Sequence, residues 1–525
     1  MTDEQTGQPN EPGTQPEPAA ETPAAAATTR TTTRAKKQKS SLLRRRDVLA
    51  AATAAGVGVA AARLVAWANE PPFTPVPVTG TQGNKTGLDW VSPLKDEGAR
   101  VAHLLRRTTF GATDAELEKA KSQGYAKTVD QLLETKIAEP APFPGGDDAS
   151  MDKPLNIGQL QQWWVEQMLS TPTPFGERMT LFWHGHFTSD FRKVSAQNPF
   201  IYWQNLTWRR FALSDLRTML YQVTVDPGML RYLDLATSTG RNPNENYSRE
   251  LMELFAMGAD AFSEDDVKAA AKGLAGWREP LTQAIVDAQL KRAMERGQTP
   301  KNPPKADTVK TGVFDRQRAY SGPAFAYLGE TKVWNTDAVL DKILAQDATA
   351  PFITRKIVTH FATPTPDDAY VARLAASFRK SSYDVKTLMR DMFMSPEFTA
   401  ASSYRALIKT PVEYMVHAAK ALGDTSLVRA VMGSQQGMGQ VLFDPPSVGG
   451  WPQNESWISS NTMLTRANFA TQVVTAAKKV PSAATAHQTH LDGVLSAQTL
   501  KLLNEATDDR KRWMLVFASP EFQLK

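Results

Sequence analysis

The chain has 525 residues, with 60 Lys plus Arg against 55 Asp plus Glu, so its formal net charge is +5. That excess is too small to hold nucleic acid by bulk charge, and no nucleic-acid partner is expected. A hydrophobic fraction of 41% is enough for a large core, and the absence of cysteine excludes disulfides, thiolate zinc sites, iron–sulfur clusters and cysteine nucleophiles.

Residues 1–40 are rich in Pro, Glu, Thr, Gln and Ala and end in a basic run. With almost no large apolar side chain they cannot offset chain entropy by burial, which predicts a disordered extension. Residues 41–68 then read as a secretory signal. Arg44, Arg45 and Arg46 precede an uncharged stretch from Val48 to Ala62, and Ala66-Trp67-Ala68 supplies a small-x-small cleavage pattern. Arg45-Arg46-Asp47-Val48-Leu49 fits the twin-arginine pattern, so the twin-arginine translocase is the expected export partner. The expected location is the periplasm, cell envelope or extracellular space. The apolar stretch falls short of the ~20 residues of a membrane span, so membrane contact is expected only through an uncleaved signal. Residues 69–94 read as a linker.

From residue 95 to 525 the apolar spacing is mostly three and four, which predicts a mainly α fold: one large multi-helix domain with long loops and little β. Thr113 and Glu116 form a capping-box pattern, and Gly124 stops that helix. Trp163, Trp164, Met168 and Leu169 continue the helical period. Ser263 caps another helix ahead of Glu264, Asp265 and Asp266. Residues 286–336 carry Lys291-Arg292, Lys301-Asn302-Pro303-Pro304-Lys305 and scattered Gly and aromatics. They predict a loop-rich excursion with a short hairpin, a candidate divider between two packed helical halves. Further helices are predicted over Val339–Leu344, Ile353–Phe361, Val371–Phe378, Leu388–Phe393, Val412–Leu422 and Leu500–Leu503. Ser395-Pro396-Glu397-Phe398 recurs as Ser519-Pro520-Glu521-Phe522, a shared stop that starts a new turn.

Three segments stand out chemically. In Phe182-Trp183-His184-Gly185-His186-Phe187, two of the seven histidines sit two apart among aromatics. Positions two apart on a helix diverge by ~200°, so His184 and His186 share a ligand only if the helix ends between them. In Asn244-Glu245-Asn246-Tyr247-Ser248-Arg249-Glu250-Leu251-Met252-Glu253, a polar loop feeds a helix in which Arg249 accompanies Glu250 and Glu253. His184, His186, Glu250 and Glu253 are the candidate oxygen and nitrogen ligands of a divalent metal. With Arg249 they are also the candidate catalytic set. The competing reading makes the histidines hydrogen-bond donors at a packed helix end and the charges a surface ladder. In Asp444-Pro445-Pro446-Ser447-Val448-Gly449-Gly450-Trp451-Pro452, running on to Trp457, a rigid loop offers Trp451 and Trp457 as stacking platforms for a ligand, or as pins to the core. Serine-hydrolase elbows, phosphate-binding loops and His-Glu-x-x-His zinc motifs are absent.

These segments, with His103-Leu104-Leu105-Arg106-Arg107-Thr108-Thr109-Phe110-Gly111 and Ala275-Gly276-Trp277, resemble a bacterial family known only as domain of unknown function 1800. The resemblance runs over nearly all of residues 95–525. It implies a helical exported protein, and a shared pathway with exported proteins resembling phosphatases and sulfatases, whose genes often lie beside those of the family. It supplies no established catalytic residue. The chain departs from the family in having Gly185 between the histidines where Asn is usual, and in lacking a His-Asp pair around Tyr320–Gly329. Two functions follow as expectations. One is a metal-dependent or acid/base enzyme of the cell envelope. The other is a non-catalytic envelope protein that binds polysaccharide or a partner protein, or helps a co-exported phosphatase-like or sulfatase-like protein to mature.

Overall fold

The computed structural model describes residues 91–525. The extension, the signal with Arg45 and Arg46, and most of the linker lie outside the described residues. Within them the chain is mainly α, with two small two-stranded sheets.

Local chemistry sets the helix ends. Asp96 caps Glu97–Thr108 by accepting from the Ala99 N–H at 2.8 Å. Thr113 and Glu116 close a capping box on Asp114–Gln123, and Gly124 ends that helix at φ 82°, a conformation that costs glycine nothing. Ser263 and Asp266 form a second box on Glu264–Leu274. The repeated Ser-Pro step starts a new turn both times, since Ser395 Oγ and Ser519 Oγ each accept the N–H of the Phe three residues on, at 3.2 Å. Every later segment with helical spacing contains a helix: Thr336–Leu344, Thr349–Phe361, Asp368–Lys380, Val385–Phe393, Pro411–Ala421 and Ala497–Glu505.

The excursion is more regular than its composition suggests. It opens within a helix, Gln283–Glu295, capped by Thr282. Val313–Phe314 then returns to pair antiparallel with Trp277–Arg278, and Phe325–Tyr327 forms a hairpin with Glu330–Lys332.

Two large apolar cores are present, and the excursion does not divide them. The first takes residues from either side of it, from Val101 through Trp277 to Phe398. The second joins Phe110, Trp164 and Tyr202 to helices between Val412 and Phe522. Buried charge accompanies them. Arg178 pairs with Glu413, which also accepts from Lys525 Nζ at 2.7 Å, and Arg107 donates to the Ser403 carbonyl at 2.5 Å. Burial alone would raise the Glu413 carboxyl, but the Arg178 guanidinium and the Lys525 ammonium overcome it and hold the group well below the carboxylate range.

Candidate functional site

The helix Pro174–His186 carries both candidate histidines in its last turn. It runs through Gly185 without breaking, so the two rings leave opposite sides, as the ~200° separation requires. His184 is 2% exposed and lies among Trp164, Phe443 and Trp451, with ring centroids 4.9 to 5.2 Å away. Its Nε2 accepts the Phe443 N–H at 3.1 Å, which places the proton of the neutral ring on Nδ1. Burial pushes its pKa down to about 3. His186, 7% exposed, packs against Phe182, Phe187 and Phe255. Its Nε2 donates to the Phe255 carbonyl at 3.1 Å. Burial, then the nearby Lys356 ammonium, keeps it neutral well below the ordinary histidine range.

The acidic helix begins at Asn246 and widens after Glu250 into a π-turn over Leu251–Ala256. The widened turn leaves end carbonyls for side chains from elsewhere. His186 takes that of Phe255, and Lys356 Nζ takes that of Leu254 at 3.0 Å. Arg249 does not pair with Glu250. It reaches out to both oxygens of Glu264, at 2.6 and 2.7 Å, with Glu245 at 3.6 Å. Glu250 is half-buried, and its carboxyl is raised first by burial and then by the Glu253 charge.

The proposed metal set does not assemble. Among the described residues no group of three or more His, Asp or Glu is arranged to hold a metal ion. The reason is geometric: His184 and His186 face different packing environments, and each spends Nε2 on backbone. Trp451 and Trp457 are likewise not stacking platforms. At 7% and 3% exposed they form a small core with Ile408 and Leu524, and pin their loop to the domain.

The three segments do meet, and the histidines are part of the reason. Phe443 sits at φ 64°, an uncommon conformation for a bulky side chain. His184 holds its N–H, and the Phe191 N–H bonds its carbonyl at 3.0 Å. Thr188 Oγ1 donates to the Val448 carbonyl. A Cβ at Gly450, itself at φ 84°, would collide with the Gly185 carbonyl oxygen, so close approach of loop and helix requires glycine there. This clamp delivers Asp444 to Arg192, which also pairs with Asp190. On the other side Asp234 accepts from Lys193 Nζ at 2.9 Å and from Asn246 Nδ2 at 3.0 Å. Burial and then the charges of Asp190 and Glu250 raise the half-buried Tyr232 hydroxyl. The result is a half-exposed polar rim of Asp190, Arg192, Tyr232, Asp234, Asn246, Glu250 and Asp444.

Sequence reasoning passed over most of that rim, and Asp226 as well. Asp226 caps Pro227–Tyr232 through the Met229 N–H at 2.8 Å, and Gln204 Nε2 donates to the same oxygen at 2.7 Å. Gln204 in turn accepts from Ser189 Oγ at 2.5 Å. The other Asp226 oxygen is buried without a partner, and burial pushes the carboxyl up to about 7. The Asp-Pro-Gly triplet at 226–228 was the available signal, since Asp before Pro marks a helix start.

Fold and motif series together define a mainly α protein with a clamped, polar-rimmed site. The family described as "Protein of unknown function (DUF1800)" matches residues 103–524, and the chain belongs to it. No curated protein and no solved structure matches it.

Proposed function

We propose that this protein is an exported cell-envelope binding protein that recognises polysaccharide through the rim around Asp190, Arg192, Glu250 and Asp444. The observation that carries this reading is the use of His184 and His186 as neutral, buried braces beside a half-exposed polar rim. A group with both ring environments sealed supports shape rather than turnover. The rim sets the carboxylates of Asp190, Glu250 and Asp444 beside the donors Arg192 and Asn246, which pair with Asp190, Asp444 and Asp234; the remaining lone pairs and N–H groups of such pairs are the mixture that neighbouring sugar hydroxyls need. Export rests on the twin-arginine pattern and implies the twin-arginine translocase as a transport partner.

The test is calorimetric titration of the purified chain with solubilised envelope polysaccharide. Saturable binding that is lost in Asp444→Ala and Glu250→Gln supports the reading. Absence of binding, or binding unchanged in both variants, overturns it. An acid/base enzyme is the second reading, favoured by one observation: burial and Glu253 raise the Glu250 carboxyl, as general acids require. Release of new reducing ends from the same polysaccharide, abolished by Glu250→Gln, would decide for it.

A further inference from the structure

With none of the rim residues in its lining, a half-open cavity of about 290 Å³ has one wall formed by the start of the Pro174–His186 helix. The opposite walls come from Glu97–Thr108, Asp114–Gln123 and Tyr125–Glu134. The floor is apolar: Leu105, Ala120 and Phe175 are buried, and half-buried Leu132 closes one side. A small concave apolar space with a few polar groups at its edge is the ordinary form of a small-molecule site.

The charges at the mouth select the ligand. Lys420 Nζ donates to Glu116 at 3.1 Å, and Glu116 is also held by its capping box with Thr113. Those two charges offset each other. Lys119 also lines the cavity, and its ammonium has no partner among the described residues. The mouth therefore carries one uncompensated positive charge. The amides of Gln123 and Gln131, in the same lining, are equally free of side-chain partners among the described residues. The helix start at Thr173–Gly176 has no side-chain cap; the Thr173 N–H is taken by Thr171 Oγ1 at 3.1 Å and Pro174 has none, so the N–H groups of Phe175 and Gly176 add partial positive charge on that wall.

We propose that this cavity binds a small amphipathic carboxylate, with its anionic group toward Lys119 and its apolar body on Leu105, Leu132 and Phe175. A neutral molecule of the same shape gains only the floor, and a cation meets an unfavourable charge. The proposal is independent of the rim and of its ligand.

Phenylacetate titrated calorimetrically into the purified full chain, beside the neutral 2-phenylethanol, tests it. Phenylacetate should bind saturably, at least ~10-fold more tightly than the alcohol, and Lys119→Glu should weaken it by about 10-fold or more. Leu132→Trp should fill the cavity and abolish binding, with folding checked by circular dichroism. Should that variant fail to fold, Lys119→Glu at an exposed position still decides the matter. No saturable heat with phenylacetate, equal affinity for acid and alcohol, or binding undiminished in Lys119→Glu would each overturn the proposal.

Discussion

Replacing His184 by Gln should flatten the acid sensitivity of the fold. The folded pKa is about 3, lowered by burial, against ~6.5 for an unfolded chain. Because the folded pKa is depressed, the unfolded state binds the extra proton between these values. Stability from the neutral ring is therefore complete above about pH 6.5 and is lost as pH falls toward 3. At about pH 5 the unfolded state gains ~1.5 pH units of protonation free energy, roughly 2 kcal/mol, which is a large share of a typical 5–15 kcal/mol margin. Gln has no such proton to gain. Urea denaturation of both proteins at about pH 7.5 and about pH 5 isolates the term, because distant groups titrate alike in each and cancel. The wild type should lose ~2 kcal/mol more than the variant on acidification. At the higher pH the variant should cost ~1–3 kcal/mol, for the altered partner of the Phe443 N–H. Equal losses on acidification would refute the reasoning, because they would mean that His184 is protonated normally in the folded protein.

Four further outcomes are expected. Glu413→Gln leaves Arg178 and Lys525 buried without their carboxylate, and should cost about 3–5 kcal/mol, read as a lower thermal midpoint; an unchanged midpoint would mean that the cluster is solvated. Asp226 has its folded pKa raised to about 7, so its contribution falls as pH rises from about 4 through 7, by ~4 kcal/mol in total, and Asp226→Asn should be the more stable protein at about pH 8; a less stable variant there would show a supported carboxylate. Glu250→Gln, at a half-exposed position, should shift stability by under ~0.5 kcal/mol while removing polysaccharide binding, and a large loss of stability would make Glu250 structural. Exchanging Arg45 and Arg46 for Lys should hold the precursor in the cytoplasm, visible by fractionation, and normal export would remove the twin-arginine assignment.

What the sequence disclosed was mostly local. Thr113 with Glu116, Ser263 with Asp266 and the two Ser-Pro turns are decided within four residues, and each appears in the fold. The divergence of His184 and His186 follows from helix geometry alone. Their partners do not: Phe443 lies 259 residues beyond His184, and Phe255 lies 69 beyond His186. Without those contacts, neither the brace nor the failure of the metal set can be derived. Glu250 and Glu253 look like adjoining ligands at i,i+3 spacing, but a π-turn opens between Leu251 and Ala256, which apolar periodicity does not reveal. Trp451 and Trp457 fit both platform and pin in the sequence, and their burial makes them pins. Asp190 and Arg192 carry no motif of their own, and Asp444, 252 residues beyond Arg192, joins them only because Gly450 lets the loop press on Gly185.

Nitrogen NMR of the chain with ¹⁵N-labelled histidine, assigned at His184 by comparison with His184→Gln, tests the brace directly. The account predicts a neutral ring protonated at Nδ1, with an unprotonated Nε2 that accepts a hydrogen bond and whose resonance is unmoved by added zinc, manganese or magnesium ions. A zinc-induced shift of the His184 Nε2 resonance, or protonation of that nitrogen near neutral pH, would contradict it.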